Sequence, residues 1–360
     1  KNIRVFTPPG YQETGLYIAQ LADEIIKLYE SHLGTIGPAN INIAFSEGSF
    51  SGYFDSGLMT LNSSNLRKVA QDPHNEDFYR LLAHELAHLW WHSSGLTPHE
   101  MVGNQWLVEG FAEFAAMWST GQRYGMEAYL RRLDSRITRL SSETSLKPLI
   151  NYTYWERSNV PYHKGPLMLE SLRRSEGEKK VLEFLRLMSV SPEQRKTVST
   201  TAEIADQVFE KDYGLFFSHW LTETEPVKLE ISSFSQNTEG NGIIELTSNQ
   251  ELTLPLEVCI IYPDRIELQE FSIKAGINQL LLHIADNAIE IRIDPNRRLF
   301  RLDPIFEPLK IAIEPKAHTL DQAIANLQTH PVRVWQDSTH SIDDILESSD
   351  HWVTINKHLD

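Results

Sequence analysis

Residues 81–92 read LLAHELAHLWWH, and no other stretch constrains the chain as strongly. It has no Gly or Pro and is rich in Leu and Ala, so it predicts a helix. Side chains four apart lie about one turn apart on one face, so His84 and His88 can point at the same ion. His92 is eight residues from His84, a rise of roughly 12 Å at about 1.5 Å per residue. Zinc binds imidazole at about 2.0–2.1 Å, so one straight helix cannot bring all three rings to one ion. His92 is therefore read as a bystander at the helix end or beside the site. Glu85 completes His-Glu-x-x-His, the pattern in which a helix supplies two zinc ligands and a general base. The plain alternative is an amphipathic helix with two satisfied histidines. Leu82, Ala83, Leu86, Ala87 and Leu89 surround the motif, and Glu85 is its only charge. A buried helix with polar residues only at His, Glu and His needs something to satisfy them.

A third ligand has to come from elsewhere. One arrangement places a third His six residues past the second, after a Gly; here those positions hold Ser94 and Trp91. His99 follows Pro98 in the loop-like run SSGLTPH. The better candidate is Glu109, in NQWLVEGFAEF at 104–114, a second apolar-periodic segment with Trp106, Leu107, Phe111, Phe114 and Ala115. By itself a glutamate there is as readily solvated on an outer face, because Glu is rarely buried unpaired. Glu113, four residues on, shares its face. It can accept a hydrogen bond from a ligating His and hold its tautomer.

HELAH followed by WLVEGFAEF resembles the gluzincin aminopeptidases, the family of membrane alanyl aminopeptidase and leukotriene hydrolase. Between His88 and Glu109 lie 20 residues, two more than the family usually has, which reads as an insertion in SSGLTPHEMVG. NVPYHKGPLML, 159–169, is similar to the family segment whose tyrosine stabilises the tetrahedral intermediate, which falls on Tyr162. Residues 201–221 resemble the helices that close the catalytic domain. IRIDPNRRLFR, 291–301, is similar to the end of the β-domain that follows. The resemblance spans about residues 15–303.

One departure bears on specificity. The family carries Gly-x-Met-Glu-Asn upstream of the zinc helix, then a Gly-Leu-x-Thr strand; its Glu binds the free α-amine of the substrate. Here the stretch is SGYFDSGLMTL, 51–61. Gly57-Leu58-Met59-Thr60 fits the strand, which puts Phe54 at the Glu position and Asp55 at the Asn position. Asp55 can supply a replacement anion, yet a shift of one residue along a strand turns a side chain to the other face. It reads equally as a turn residue beside Ser56-Gly57.

The 360 residues are too many for one ordinary core. Helical spacing of Leu16, Ile18, Leu21, Ile25 and Leu28 predicts a helix over 13–34. Residues 41–45 and 57–61 predict strands, and helices dominate from about 76 to 222. Beyond Pro226 the alternation of Leu252, Leu254, Leu256, Val258 and Ile260 predicts half-buried strands, and Ile289, Ile291 and Ile293 repeat it. The charge-dense LRRLDSRITR, 130–139, reads as a solvated helix face. With the resemblance, the fold expected is α+β. A mostly helical, thermolysin-like catalytic domain (1–225) precedes a β-sandwich domain (226–303). A small α/β segment (304–360) follows, with a helix around 319–328 and a strand at 332–335.

With 33 Lys and Arg against 49 Asp and Glu, the net charge of −16 argues against nucleic acid and anionic membranes. No apolar run approaches a membrane span. Such a charge favours solubility. The single cysteine, Cys259, rules out an intrachain disulfide and reads as a small core residue. The chain begins at Lys1, not Met, so it is read as processed or excised. Neither compartment nor oligomeric state follows from it.

The resemblance implies a zinc metallopeptidase that acts on peptides with one Zn²⁺ per chain. His84, His88 and Glu109 would be its ligands, Glu85 and Tyr162 its catalytic residues, and Glu113 a support for a ligating His. Phe54, Asp55 and Gly57 would line the substrate. Aminopeptidase action with altered recognition of the N-terminal amine is the first expectation. Cleavage of internal bonds, or of substrates without a free amine, is the second. A non-catalytic zinc-binding scaffold is the third.

Overall fold

Ile41 and Ile43 are wholly buried and alternate with partly exposed neighbours, the two-residue period of a strand with one covered face. They belong to β2 (Asn40–Ser46) in a computed structural model of the chain. It describes residues 1–35, 40–48, 51–55, 57–91, 105–153, 158–189, 198–236, 241–251, 253–285, 287–305, 308–313, 332–335 and 352–355. With β1 (Asn2–Phe6), β3 (Gly52–Asp55) and β4 (Leu58–Asn62), β2 forms a four-stranded sheet of order β1-β2-β4-β3. β1 and β4 run parallel to β2. β3 runs antiparallel to β4 as an edge strand, with Phe54 opposite Met59, and Gly57 makes the turn between them at φ 85°.

α1 (Gln12–Leu33) buries Ile18, Leu21, Ala22, Ile25, Ile26, Tyr29 and Leu33. Leu16, expected on that face, is instead 68% exposed, because the covered stripe runs through Ile18, Ala22 and Ile26. Short caps start the next two helices. Asn62 accepts from the Ser64 N–H for α2 (Ser63–Gln71), and Asn75 from the Phe78 N–H for α3 (Glu76–Ala87), each at 2.9 Å. A π-helical turn, Trp106–Gly110, runs into α4 (Phe111–Tyr124) and then α5 (Met126–Ser141). Beyond them lie α6 (Val160–Glu176), α7 (Glu178–Leu187), α8 (Val198–Phe209) and α9 (Gly214–Thr222).

The chain divides into two units. One holds Lys1–Glu170 and Lys179–Thr224, the other Ser171–Glu178 and Glu225–Asp360. In the second, β5 (Leu229–Gln236), β6 (Asn241–Ser248) and β9 (Gly276–His283) form one antiparallel sheet. β7 (Leu254–Ile261), β8 (Ile266–Ile273), β10 (Glu290–Ile293) and β11 (Lys310–Ala312) form another. Both sheets supply one apolar core: Ile244, Leu246, Leu280 and Leu282 from the first, Leu254, Leu256, Val258, Ile260, Ile291 and Ile293 from the second. Cys259 is buried on β7, and burial pushes its thiol up to about 12. β12 (Val332–Trp335) pairs antiparallel with β13 (Trp352–Ile355). The helix expected at 319–328 lies outside the described residues. Among those residues no helix is long and apolar enough to cross a membrane.

Candidate metal centre

α3 brings His84 and Glu85 into the protein, and all but its first turns are buried. Regular helix stops at Ala87, short of the 81–92 expected, and His88 caps it. The cause is local. The His88 Nδ1–H donates to the Trp91 carbonyl at 3.0 Å. In a continuing helix that carbonyl would point onward, away from residue 88. Because a carbonyl only accepts, the bond leaves the neutral His88 ring with its lone pair on Nε2.

Glu109 enters from the π-helical turn. Its Oε2 lies 3.2 Å from His84 Nε2 and 3.5 Å from His88 Nε2. All three groups are buried, and their ligand atoms lie within 4.8 Å of one another. Two ligands each about 2.0–2.1 Å from a tetrahedral zinc stand about 3.3 Å apart. Two imidazoles and a carboxylate at that spacing, each aiming its free atom at one point, are a donor set that fits zinc.

Glu113 lies behind His84, its Oε2 3.0 Å from Nδ1. Arg80 holds the same carboxylate at 2.8 and 3.0 Å, and Arg136 of α5 forms an ion pair with it. Burial opposes its charge, but the two guanidiniums and His84 keep it well below the usual carboxylate range. Arg136 belongs to the run read from sequence as a solvated face. That reading holds for Arg131, Thr138 and Arg139, which are exposed, and is corrected for Arg136, only 8% exposed with Leu133, Ile137 and Leu140 buried beside it. The apolar spacing around Arg136 was the available signal. Arg80, one turn before His84 on α3, was also missed.

Burial raises the Glu85 carboxyl to about 7, against the pull of the His84 charge. Burial lowers the His84 imidazole, yet Glu109 and Glu113 outweigh it and raise the ring to about 10. Burial works to raise Glu109, but His88, His84 and a hydrogen bond from Tyr162 hold it below its ordinary value. The Tyr162 ring stacks on His84, centroids 5.8 Å apart at 26°. Glu109 and Glu113 thus favour a charged His84, which in turn holds both carboxylates ionised.

Gly52 of β3 lies against the Glu85 carboxylate with no room for a Cβ. Phe54, two residues on and half-buried, shares that strand face. Gly57 sits at the turn, and the Asp55 side chain lies outside the described residues, as do His92, Ser94, His99 and the expected insertion. The structure therefore brings together His84, Glu85, His88, Glu109, Glu113 and Tyr162, and sets the Gly52–Phe54 edge beside them.

Fold and site define a class: a chain of mixed helix and sheet with a buried His-His-Glu cluster on an interrupted helix and a π-helical turn. Aminopeptidase 2, mitochondrial, of Saccharomyces cerevisiae is 26% identical over 287 residues, 72% of this chain and 29% of that protein. Aminopeptidase N of Haemonchus contortus is 24% identical over 266 residues, 66% of this chain and 27% of that one. The chain thus spans under a third of the length of these relatives. Among solved structures, Legionella pneumophila aminopeptidase A in complex with aspartic acid superposes with TM-score 0.60 at 14% identity, covering 83% of this chain and 36% of that one. Native yeast LTA4 hydrolase gives 0.52 at 16% identity, with 62% and 38% covered. No protein-family model matches. In sequence the chain is related to these two aminopeptidases, and in fold it is similar to these two structures.

Proposed function

We propose that the chain is a zinc-dependent metallopeptidase with one Zn²⁺ held by His84, His88 and Glu109. The observation that carries the reading is the 3.2 and 3.5 Å spacing of two imidazole nitrogens about one buried carboxylate oxygen. The aminopeptidase relatives support it. When bound, zinc supplies Lewis-acid polarisation and lowers the pKa of a water toward neutrality. Glu85 takes the proton of the attacking water and returns it to the leaving amine. The Tyr162 hydroxyl donates to the peptide oxygen where negative charge develops. Glu113, anchored by Arg80 and Arg136, steadies His84 from behind so that Nε2 faces the centre.

In this reading residues 1–225 form a thermolysin-like catalytic domain, 226–303 a β-sandwich and 304–360 a small α/β segment. Substrate enters beside β3, where Phe54 occupies the place of the amine-binding glutamate. An aromatic face attracts a cation by about 0.5–2 kcal/mol, whereas a charge-assisted hydrogen bond gives about 1.5–3. The enzyme is then aminopeptidase-like with weakened grip on the free amine. The second reading, hydrolysis of internal bonds or of peptides without a free amine, is favoured by Phe54 alone. A non-catalytic scaffold would have no use for Glu85 and Tyr162 together at the centre.

Elemental analysis should find about one zinc per chain in the unmodified protein and none in His84→Ala. Glu85→Gln should keep the metal and lose about 10²–10⁴-fold in kcat. Unchanged turnover in that variant would refute the mechanism. Peptides of one sequence with free and acetylated N-termini separate the two substrate readings. A kcat/KM ratio above about a hundred would require a full-strength amine anchor and sink the reading of Phe54.

A further inference from the structure

Gly110 and Gly165 meet backbone to backbone. A Cβ on Gly165 would fall 2.8 Å from the Gly110 Cα, and one on Gly110 would fall 3.2 Å from the Gly165 Cα. The neighbouring atoms are main chain on both sides, so no side chain can swing away; relief means moving a helix. Gly110 directly follows Glu109 at the end of the π-helical turn. Gly165 lies three residues past Tyr162, about one turn along α6. Across this crossing the Tyr162 hydroxyl reaches the Glu109 carboxylate and its ring stacks on His84.

We propose that the Gly110–Gly165 crossing is a positioning device that sets the depth of Tyr162 over Glu109 and His84. The catalytic consequence rests on the reading of Tyr162 as the donor to the developing oxyanion; the geometric claim does not. His84 and His88 stand on or at the end of α3, so a displaced α6 leaves their spacing alone. A displacement of about 1 Å can cost on the order of 10²-fold in rate. Gly165→Ala, with the closer approach, should act more strongly than Gly110→Ala.

The test uses the whole chain labelled with 3-fluorotyrosine, its Tyr162 resonance assigned by loss in Tyr162→Phe. In Gly165→Ala that ¹⁹F resonance should move beyond its linewidth, and in Gly110→Ala it should move less. Zinc content should stay at one per chain. Gly165→Ala should lose roughly ten- to a hundredfold in kcat with KM changed less than about threefold. In a Tyr162→Phe background, Gly165→Ala should cost little more. An unmoved resonance in folded Gly165→Ala, or losses that multiply in the double variant, overturns the proposal. So does a Gly165→Ala that fails to fold while Gly110→Ala leaves both resonance and kcat untouched, since the crossing would then serve only the fold. If the resonances move as stated but the unmodified protein cleaves no peptide, the crossing stands and the peptidase reading falls.

Discussion

A single carboxylate, Glu113, shows how much of the centre depends on residues that touch no ion. It faces Arg80, Arg136 and His84 at once and is 2% exposed. Glu113→Gln keeps its size and removes the charge those groups need. Breaking a buried pair of this kind costs about 3–5 kcal/mol, and loss of a carboxylate behind a ligating His lowers metal affinity about 10–100-fold. Urea melts and competition against a chelator measure the two effects. A variant with unchanged stability and affinity would show that the clamp is incidental. His84, Glu85 and His88 were legible from sequence because one helical turn relates them. Arg136 was not, because it meets Glu113 across 23 positions; the apolar spacing of Leu133, Ile137 and Leu140 marks the inward face but not the partner that waits there.

At the scale of elements, α3 is the strut of the site. Asn75 starts it by accepting the Phe78 N–H at 2.9 Å, and Glu76 and Asp77 place negative charge at its first turn. Asn75→Ala should cost about 1 kcal/mol and lower Tm by about 2–4 °C. The cap is more than two turns from His84, so kcat of the folded protein should not change. A variant that melts normally but turns over slowly would mean that the cap positions the centre. Two features of this region escaped the sequence. The helix ends at Ala87 through the His88–Trp91 bond, and Glu109 stands on a π-helical turn, a form that recurs at functional sites. Neither has a residue signature, because each depends on where a single carbonyl or carboxylate finds its partner.

The whole molecule responds to acid through histidines outside the centre. Burial lowers His163 and His219 to about 4, from an ordinary 6.5. In that window the unfolded chain binds more protons, so their contribution is full above pH 6.5 and is lost as pH falls toward 4. By pH 5 each has lost about 2 kcal/mol. Glu85 and Asp294, raised to about 7 and 6 by burial, act in the opposite sense over part of the same range. The sharper measurement is therefore a difference. Between pH 7 and 5, His219→Gln should lose about 2 kcal/mol less unfolding free energy than the unmodified protein. Equal slopes would show that His219 titrates normally. Metal should act through the whole fold as well: an ion binding only the folded chain at about a thousand times its Kd adds about 4 kcal/mol. A chelator should lower Tm in the unmodified protein and in Glu85→Gln, and leave His84→Ala unmoved. If chelator lowers Tm in His84→Ala to the same degree, that ion is bound elsewhere.

What the amino-acid sequence determined by itself was whatever depends on near neighbours. The helical stripe of α1, the strands at β2 and β4, the change to alternating strands after Pro226 and the His-Glu-x-x-His pair all follow from periods of two or 3.6 residues. The tertiary structure alone decided which carboxylate meets which imidazole, that Leu16 is outside and Arg136 inside, and that Gly110 and Gly165 share one crossing. Those contacts join residues tens of positions apart. Burial then makes each one strong, because charges removed from water are held only by the partners that packing brings to them.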